Sequence, residues 1–185
     1  MSRTFDTDRP GPRASRIREM LRVDHAGEYG AVQIYRGQRA VFDALPSKTE
    51  LSALLKHMED GEQHHLSTFD RLLPEYGARP TVLSPLWNLA GFALGAGTAL
   101  MGEKAAMACT AAVEDVIEKH YAEQAEALDG VDDALAETVR QFRDEEIEHK
   151  ETAEAEGARE TPGYDVLRAV IQAGCRAAIK VSEKL

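Results

Sequence analysis

The same order of acidic and histidine residues occurs twice in this chain. In each half a lone glutamate is followed, after 34 residues in the first half and 32 in the second, by a Glu-x-x-His triplet. The residues are Glu28, Glu62 and His65, then Glu114, Glu146 and His149. Because positions i and i+3 of a helix share one face, a triplet can direct a carboxylate and an imidazole at one point. Four-helix proteins that bind two iron or manganese ions use two lone glutamates and two such triplets.

A single triplet is weak evidence for a metal site. The chain contains 20 Glu and 6 His residues, enough for one triplet to arise by chance. The alternative interpretation is a glutamate and a histidine that face water on an exposed helix. The repeated order, rather than either triplet alone, favours a metal site built from two related halves.

Turn residues divide the chain into helix-length segments. Clusters rich in proline, glycine and aspartate mark turns, and four such clusters separate the segments. The predicted helices cover residues 15–44, 48–76, 101–128 and 132–157. Each of the four glutamates falls near the middle of a helix, and mid-helix positions of an antiparallel bundle meet at one level. The sequence therefore predicts an all-α fold built on a four-helix bundle.

Each of these glutamates interrupts an apolar stripe. Leu55 and Leu66 flank Glu62 at helical spacing, a pattern typical of a helix face that packs in a core. Isolated carboxylates in a core cost far more than the net stability of a domain. They must therefore be protonated, paired with cations or bound to metal. Two divalent ions would balance the four negative charges.

Length and composition predict one globular domain over residues 15–185, preceded by a disordered lead over residues 1–14. The net charge of −10 argues against nucleic acid as a partner. Cys109 and Cys175 lie in apolar helical segments, where buried free thiols are expected. Because no disulfide framework is indicated, a reducing cytosolic compartment fits the chain.

The segment over residues 80–102 has 23 positions and no charged side chain. Its length would suffice for a bilayer, but its prolines and glycines make a poor membrane-spanning helix. We expect a short helix at a membrane interface, with Trp87 at the boundary. The alternative is a buried crossover helix that packs through Gly91 and Gly95.

The segment over residues 164–185 predicts an extra C-terminal helix. Its apolar stripe includes Val166, Val170 and Ile171, and basic residues flank the stripe. This pattern fits docking on an anionic membrane surface as well as an amphipathic helix that covers the bundle.

Six longer strings carry a family resemblance. They are LRVDHAGEYGA from Leu21, RPTVLSPLWN from Arg79, GFALGAGTAL from Gly91, AMACT from Ala106, FRDEEIEH from Phe142 and IQAGCR from Ile171. With these strings the chain resembles the demethoxyubiquinone hydroxylase family (the Coq7 type) from about Ser15 to Leu185. The resemblance implies a ferritin-like fold, in which the four-helix bundle carries a crossover or interfacial helix and an extra C-terminal helix.

The resemblance also implies a reaction. Members of that family use dioxygen to hydroxylate the ring of a polyprenylated demethoxyubiquinol, a penultimate step of ubiquinone biosynthesis. Two iron ions are implied, with electrons from reduced pyridine nucleotide that pass through the quinone ring. The implied iron ligands are the six residues that the spacing selects: Glu28, Glu62, His65, Glu114, Glu146 and His149. His64 stands beside His65, but only His65 keeps the i+3 register with Glu62.

A location and a partner follow from the same resemblance. It implies peripheral attachment to the cytoplasmic face of a bacterial cell membrane. Some members of the family bind a lipid-binding partner of the quinone-synthesis complex. The uncharged segment and the C-terminal helix then become candidates for admitting the polyprenyl tail.

Several residues beside the ligands are further candidates. Tyr121 lies seven residues after Glu114 on the same helical face, so its hydroxyl either contacts the metal site or is satisfied within the core. The other candidates, for orienting the histidine ligands or contacting substrate, are Asp24, Asp115, Glu145, His25 and His120. For the two histidines the alternative is an ordinary surface position.

Two other functions fit a helical bundle of this kind. A ferritin-like ferroxidase or iron-storage protein would bind iron without an organic substrate. The uncharged segment argues against it, because a cage subunit has little use for such a segment. A non-enzymatic helical scaffold would hold far fewer than two iron ions per chain.

Overall fold

The computed structural model describes residues 11–185, without the side chain of Pro12. Its six α-helices are α1 (Pro12–Phe42), α2 (Thr49–Glu75), α3 (Ser84–Leu100), α4 (Glu103–Leu128), α5 (Asp133–Ala155) and α6 (Tyr164–Ser182). Short 3-10 turns precede α2 and α6, at Pro46–Lys48 and Ala158–Glu160. No β-strand occurs between residues 11 and 185. The prediction of an all-α fold is confirmed.

The helix ends follow from local residues. α1 begins at Pro12, slightly earlier than predicted, because proline suits the first helical turn, where its missing N–H would have no partner. The remainder of the predicted lead, residues 1–10, lies outside the described residues. Between α4 and α5, Gly130 adopts a φ of +67°, which glycine accepts without steric strain. The Asp132 carboxylate then accepts a hydrogen bond from the Leu135 N–H at 3.2 Å and caps α5.

Helices α1, α2, α4 and α5 form the four-helix bundle, and two of the three apolar clusters of the described residues lie along it. One cluster, towards the start of α1, includes Leu21, Phe69 and Phe142. The other, towards the end of α1, includes Leu55 and Met107. Full burial of one such side chain contributes roughly 1.5–3 kcal/mol. The glutamates and histidines of the repeated pattern lie at the level between the clusters, so apolar packing on both sides offsets the cost of burying them.

Helix α3 packs closely along α1 because glycines remove side chains from the contact. A Cβ atom on Gly91 would lie 2.7 Å from the Gly30 carbonyl oxygen. A Cβ atom on Gly95 would overlap the carbonyl oxygen of Ile34, and one on Gly37 would overlap that of Phe92. The small-residue packing expected of a buried crossover helix is therefore present.

The opposite face of α3 remains exposed and apolar. Leu89 is 68% exposed and Leu100 is 77% exposed, so α3 also has the free apolar face expected of an interfacial helix. In the part of the chain that the structure describes, none of the helices has both the length and the apolarity required to cross a bilayer.

The two halves of the chain repeat one arrangement. Each half has a lone-glutamate helix (α1 or α4), a triplet helix (α2 or α5) and an added helix (α3 or α6). α3 packs along α1, and α6 packs along α4. The Asp115 carboxylate of α4 helps to hold α6, because it accepts hydrogen bonds from Arg168 at 2.9 Å and Gln172 at 2.7 Å. Cys109 and Cys175 are free thiols; Cys109 is buried as expected, whereas Cys175 is only partly buried.

Candidate metal centre

The structure brings all six residues of the repeated pattern together inside the bundle. The lone glutamates come from α1 and α4, and one triplet comes from each of α2 and α5. The side chains of Glu28, Glu62, His65 and Glu146 are fully buried, and the His149 side chain is 14% exposed. The neighbouring His64 is exposed, which removes the ambiguity between His64 and His65.

The six residues form two overlapping groups. Glu28, Glu62, His65 and Glu146 each offer an atom within 4.8 Å of the others, and so do Glu62, Glu114, Glu146 and His149. Glu62 and Glu146 belong to both groups. Each group thus combines one imidazole with three carboxylates, and the two shared carboxylates stand where they can serve two ions. Predominantly oxygen donors with one imidazole suit iron or manganese.

Many of the atoms of this cluster that could bind metal have no hydrogen bond. Eight buried atoms of the cluster have no hydrogen-bond partner among the described residues: Glu28 Oε2, both carboxylate oxygens of Glu62 and of Glu146, Glu114 Oε2, and Nδ1 of His65 and His149. Buried polar atoms are normally satisfied, and a concentration of unsatisfied ones calls for an explanation such as an ion. The cluster therefore fits two metal ions.

Both histidines turn Nδ1 towards the centre of the cluster. His65 Nδ1 lies 3.0 Å from Glu146 Oε1, and His149 Nδ1 lies 2.9 Å from Glu62 Oε1. These distances suit ion pairs, but the atoms lack hydrogen-bond geometry. On its other side, His65 Nε2 contacts Glu145 Oε2 at 2.6 Å. A carboxylate at that position fixes the ring orientation of a metal-binding histidine. Of the three carboxylates that the sequence offered for this position, Glu145 is the one that contacts a histidine of the cluster.

Packing fixes the same two rings. His65 stacks on Phe142, with ring centroids 4.0 Å apart. Gly61 leaves room for His149, because a Cβ atom at Gly61 would lie 3.2 Å from His149 Cε1. Any larger residue at position 61 would press on the imidazole.

The pKa shifts within the cluster reflect an excess of buried negative charge. Burial, reinforced by Glu146, raises the pKa of Glu62 and of Glu114 well above the ordinary value. Burial acts in the same direction on Glu146, but His149 and His65 outweigh it and hold its pKa at about 2. Burial lowers the pKa of His65, yet Glu146 and Glu28 outweigh that effect and raise it to about 12. Without metal, the cluster draws in protons to balance its carboxylates.

Metal uptake is therefore expected to release protons. The pKa of His149 is raised to about 10, since Glu146 and Glu62 outweigh burial, so both imidazoles hold protons at neutral pH in the metal-free protein. Metal binds only neutral imidazole. Affinity must then rise with pH, by at least roughly 100-fold per pH unit near neutrality, because these two protons leave in addition to any held by Glu62 and Glu114, whose pKa values burial raises. Anaerobic calorimetry with ferrous iron in two buffers of different ionisation enthalpy measures the number of protons released.

A matched control separates these histidines from a surface histidine. His64→Ala should release as many protons as the wild type, because His64 is exposed and outside the cluster. Binding heats that do not depend on the buffer would contradict the protonation of His65 and His149.

Two tyrosines hold the lone glutamates in a reciprocal arrangement. The Tyr121 hydroxyl of α4 donates to Glu28 Oε1 on α1, so it contacts the cluster, as one of its two interpretations predicted. The Tyr35 hydroxyl of α1 donates to Glu114 Oε1 on α4 at 2.8 Å. Tyr35 was not among the candidate site residues selected from the sequence. The missed signal was its spacing, because Tyr35 follows Glu28 by seven residues as Tyr121 follows Glu114.

The other candidate residues do not contact the ligand histidines. Asp24 lies beside His120 and Gln124, and Asp115 binds cationic and amide groups of α4 and α6. His25 contacts Asp70 of α2 at 3.0 Å. The sequence could not separate Glu145 from the other carboxylates, since proximity to a ligand in the chain does not tell which way a side chain turns.

An apolar cavity borders the cluster. It lies between α1, α3, α4 and α6, has a volume of about 400 Å³, and includes Glu28 and Tyr121 in its wall. Most of its lining is aliphatic, for example Ile34, Val113 and Ile171. Cavities of this size and character hold small organic ligands.

The family match decides the relationship of this chain to known proteins. Residues 15–182 match the family described as Ubiquinone biosynthesis protein COQ7. The chain belongs to the COQ7 family. The matched region includes all six clustered residues, both tyrosines and every residue that lines the cavity. The COQ7 match thus confirms the family resemblance seen in the sequence.

Curated relatives agree with the COQ7 assignment. The chain is 51% identical over 176 residues to the 3-demethoxyubiquinol 3-hydroxylase of Rhodospirillum rubrum, covering 95% of this chain and 81% of that protein. It is 47% identical over 173 residues to the mitochondrial NADPH-dependent 3-demethoxyubiquinone 3-hydroxylase of Homo sapiens, covering 91% and 78%. The mitochondrial 5-demethoxyubiquinone hydroxylase of Saccharomyces cerevisiae is 40% identical over 187 residues, covering 93% and 79%.

Proposed function

We propose that this chain is a 3-demethoxyubiquinol 3-hydroxylase. It would be a monooxygenase that uses dioxygen to hydroxylate the ring of a polyprenylated demethoxyubiquinol (2-polyprenyl-3-methyl-6-methoxy-1,4-benzoquinol), giving 3-demethylubiquinol. Membership of the COQ7 family and the names of its relatives support this reaction. The structural observation that carries the proposal is the apolar cavity, whose wall includes Glu28 of the cluster. A ring in that cavity would lie beside the metal centre.

Two iron ions would be held by Glu28, Glu62, His65, Glu114, Glu146 and His149. When bound, they supply the reduction of dioxygen that ring hydroxylation requires. The protein supplies fixed positions: Tyr121 and Tyr35 hold the lone glutamates, and Glu145 and Phe142 hold the His65 ring. The aliphatic lining of the cavity excludes water from the substrate ring.

The polyprenyl tail would leave the cavity between α3 and α6. Both helices line the cavity and carry exposed apolar residues on their outer faces, such as Leu89, Val166 and Val170. Basic residues, including Arg176 and Lys180, also lie on α6. An apolar face with basic flanks favours peripheral binding to an anionic membrane, here the cytoplasmic face of a bacterial cell membrane. The same face is the proposed contact for a lipid-binding partner of quinone synthesis.

The electrons would come from reduced pyridine nucleotide. Several relatives, including that of Homo sapiens, are named NADPH-dependent hydroxylases. The described part of the chain contains no parallel sheet of the kind that binds dinucleotides. Transfer through the quinone ring in the cavity would bring the electrons next to the cluster.

The function is tested by measuring whether an oxygen atom from dioxygen is incorporated into the quinone ring. Protein reconstituted with ferrous iron is supplied with a short-chain demethoxyubiquinol, reductant and ¹⁸O₂, and the quinones are extracted for mass spectrometry. We expect a product with one added ¹⁸O atom. Oxidation of iron without a hydroxylated quinol would instead favour the alternative, a ferroxidase.

A pair of variants ties this turnover to the cavity. Ala178 lines the cavity, whereas the neighbouring Ala177 is exposed. Ala178→Trp should fill the space and stop quinol turnover, while Ala177→Trp should leave it near the wild-type level. Both variants should retain iron. Equal turnover in the two variants would contradict the assignment of the cavity as the substrate site.

A further inference from the structure

Asp24, His120 and Gln124 form a polar triad (the Asp24 triad) beside the mostly aliphatic lining of the cavity. Asp24 of α1 is 3% exposed and lines the cavity, as does His120 of α4. The Gln124 amide nitrogen lies 2.7 Å from Asp24 Oδ1 and 2.8 Å from His120 Nε2. His120 Nε2 lies 3.4 Å from Asp24 Oδ1. The contacts of the Asp24 triad are with each other rather than with the clustered glutamates and histidines.

The Asp24 triad and Val23 lie between the cavity and a second pocket at the surface. This second pocket has a volume of about 100 Å³, and its wall includes His120 and Gln124. His120 therefore lines both spaces. The side chain of His120 is 21% exposed, whereas that of Asp24 is 1% exposed. The imidazole thus stands at the boundary between solvent and the interior.

The proposed reaction consumes protons, which must reach the cavity from solvent. Ring hydroxylation follows the balance RH + O₂ + 2e⁻ + 2H⁺ → ROH + H₂O, with the electrons from a two-electron reductant of the pyridine nucleotide class. A C–H bond and the O–O bond break, and one oxygen atom leaves as water after taking up two protons. An aliphatic cavity offers few groups that carry protons. A histidine that faces both water and the cavity is suited to do so.

We propose that His120, held by Asp24 and Gln124, is the proton entry of the cavity. This inference rests on the proposed hydroxylase function. His120 takes a proton from water in the surface pocket and passes it to groups inside the cavity. Asp24 and Gln124 act as positioning residues, since both contact the imidazole, and Asp24 does not line the surface pocket.

Gln124 can serve both protonation states of His120. When Nε2 carries no proton, the Gln124 N–H group donates to it. Gln124 Oε1 is buried and has no hydrogen-bond partner among the described residues. Rotation of the amide would bring this oxygen to accept from the protonated ring, while the Asp24 carboxylate balances the charge.

The charged groups around His120 also favour its protonated form. Burial lowers the pKa of His120, but the contact with Asp24 outweighs it, and the net effect is a raised pKa. Burial raises the pKa of Asp24 despite the opposing contact with His120. The charged groups that face His120 or its pocket from the packed elements are Arg16, Glu19 and Asp24 of α1, Glu123 of α4, and Glu183 after α6. Four of these five are carboxylates, which favour a protonated imidazole.

The test combines removal of the imidazole with its replacement from solvent. His120→Ala should lower kcat by about 100-fold, in the range of lost acid–base catalysis, with KM and iron content near the wild-type values. Added imidazole, which fits the surface pocket, should restore a large part of the rate. His57→Ala, which removes an exposed histidine of α2, should change neither the rate nor its response to imidazole. A wild-type rate in His120→Ala, or a loss that imidazole does not restore, would overturn the proposal.

A second measurement does not depend on turnover. Nuclear magnetic resonance titration of metal-free protein should show a raised His120 pKa that falls towards its ordinary value in Asp24→Asn. An ordinary pKa in both proteins would overturn the role of Asp24. Failure of the wild type to hydroxylate the quinol would instead remove the proposed function, whereas normal wild-type hydroxylation with an unaffected His120→Ala variant would remove only the proton entry.

Discussion

Glu146→Ala is expected to abolish quinol hydroxylation while leaving the helical content close to that of the wild type. Glu146 belongs to both groups of potential metal ligands, and it lies 3.0 Å from His65 Nδ1 and 3.5 Å from His149 Nδ1. Loss of a residue that merely supports a ligand costs about 10–100-fold in metal affinity or activity. Loss of a carboxylate that would serve both ions should therefore exceed that range.

The measurements for Glu146→Ala are iron content after reconstitution, quinol turnover and circular dichroism. Glu148→Ala is the matched control, because Glu148 lies on the same helix two residues away and is exposed. It should bind iron and turn over quinol as the wild type does. Unchanged turnover in Glu146→Ala would refute the ligand assignment.

Gly95→Ala is expected to destabilise the protein and to weaken quinol turnover. The added methyl group would overlap the Ile34 carbonyl oxygen of α1, and a backbone atom cannot move aside as a flexible side chain can. Overpacking of this kind costs roughly 1–3 kcal/mol. α3 would shift away from α1, and the cavity wall at Gly91 and Leu94 would shift with it.

The same helix provides the control for Gly95→Ala. Gly97 is exposed, and a Cβ atom there would meet nothing within 4 Å. Gly97→Ala should therefore stabilise the protein by about 0.5–1 kcal/mol through helix propensity alone. Thermal or urea unfolding of the two variants should give changes of opposite sign. Equal stabilities would show that α3 does not pack on α1 as closely as described.

The bundle and the membership of the cluster could be predicted from the sequence because both depend on local periodicity. Glu62 and His65 share a helix face whatever the helix packs against. Their mid-helix positions then fix the level at which the four helices present these residues. The helix boundaries were close to those observed for the same reason, since residues such as Pro12 and Gly130 act within one or two positions of themselves.

The partners of the cluster were harder to predict because they come from other helices. Asp24, Asp115 and Glu145 are all acidic residues near a ligand or its helix, yet only Glu145 contacts a ligand histidine. A rotation of one residue around a helix is about 100°, so adjacent positions point to different neighbours. The repeated seven-residue spacing could have singled out Tyr35 and Tyr121 as a pair. It could not show that each tyrosine contacts the lone glutamate of the other half.

By itself the sequence determined the helices, the two matching halves and the six residues that meet, because helical periodicity depends only on residue order. The tertiary structure alone decided that Glu62 and Glu146 are shared, that an apolar cavity reaches Glu28, and that His120 lines both this cavity and a surface pocket. Those features depend on the distances and rotations between helices. They are set by packing, such as the glycine contacts of α3 with α1, over residues that are far apart in the chain.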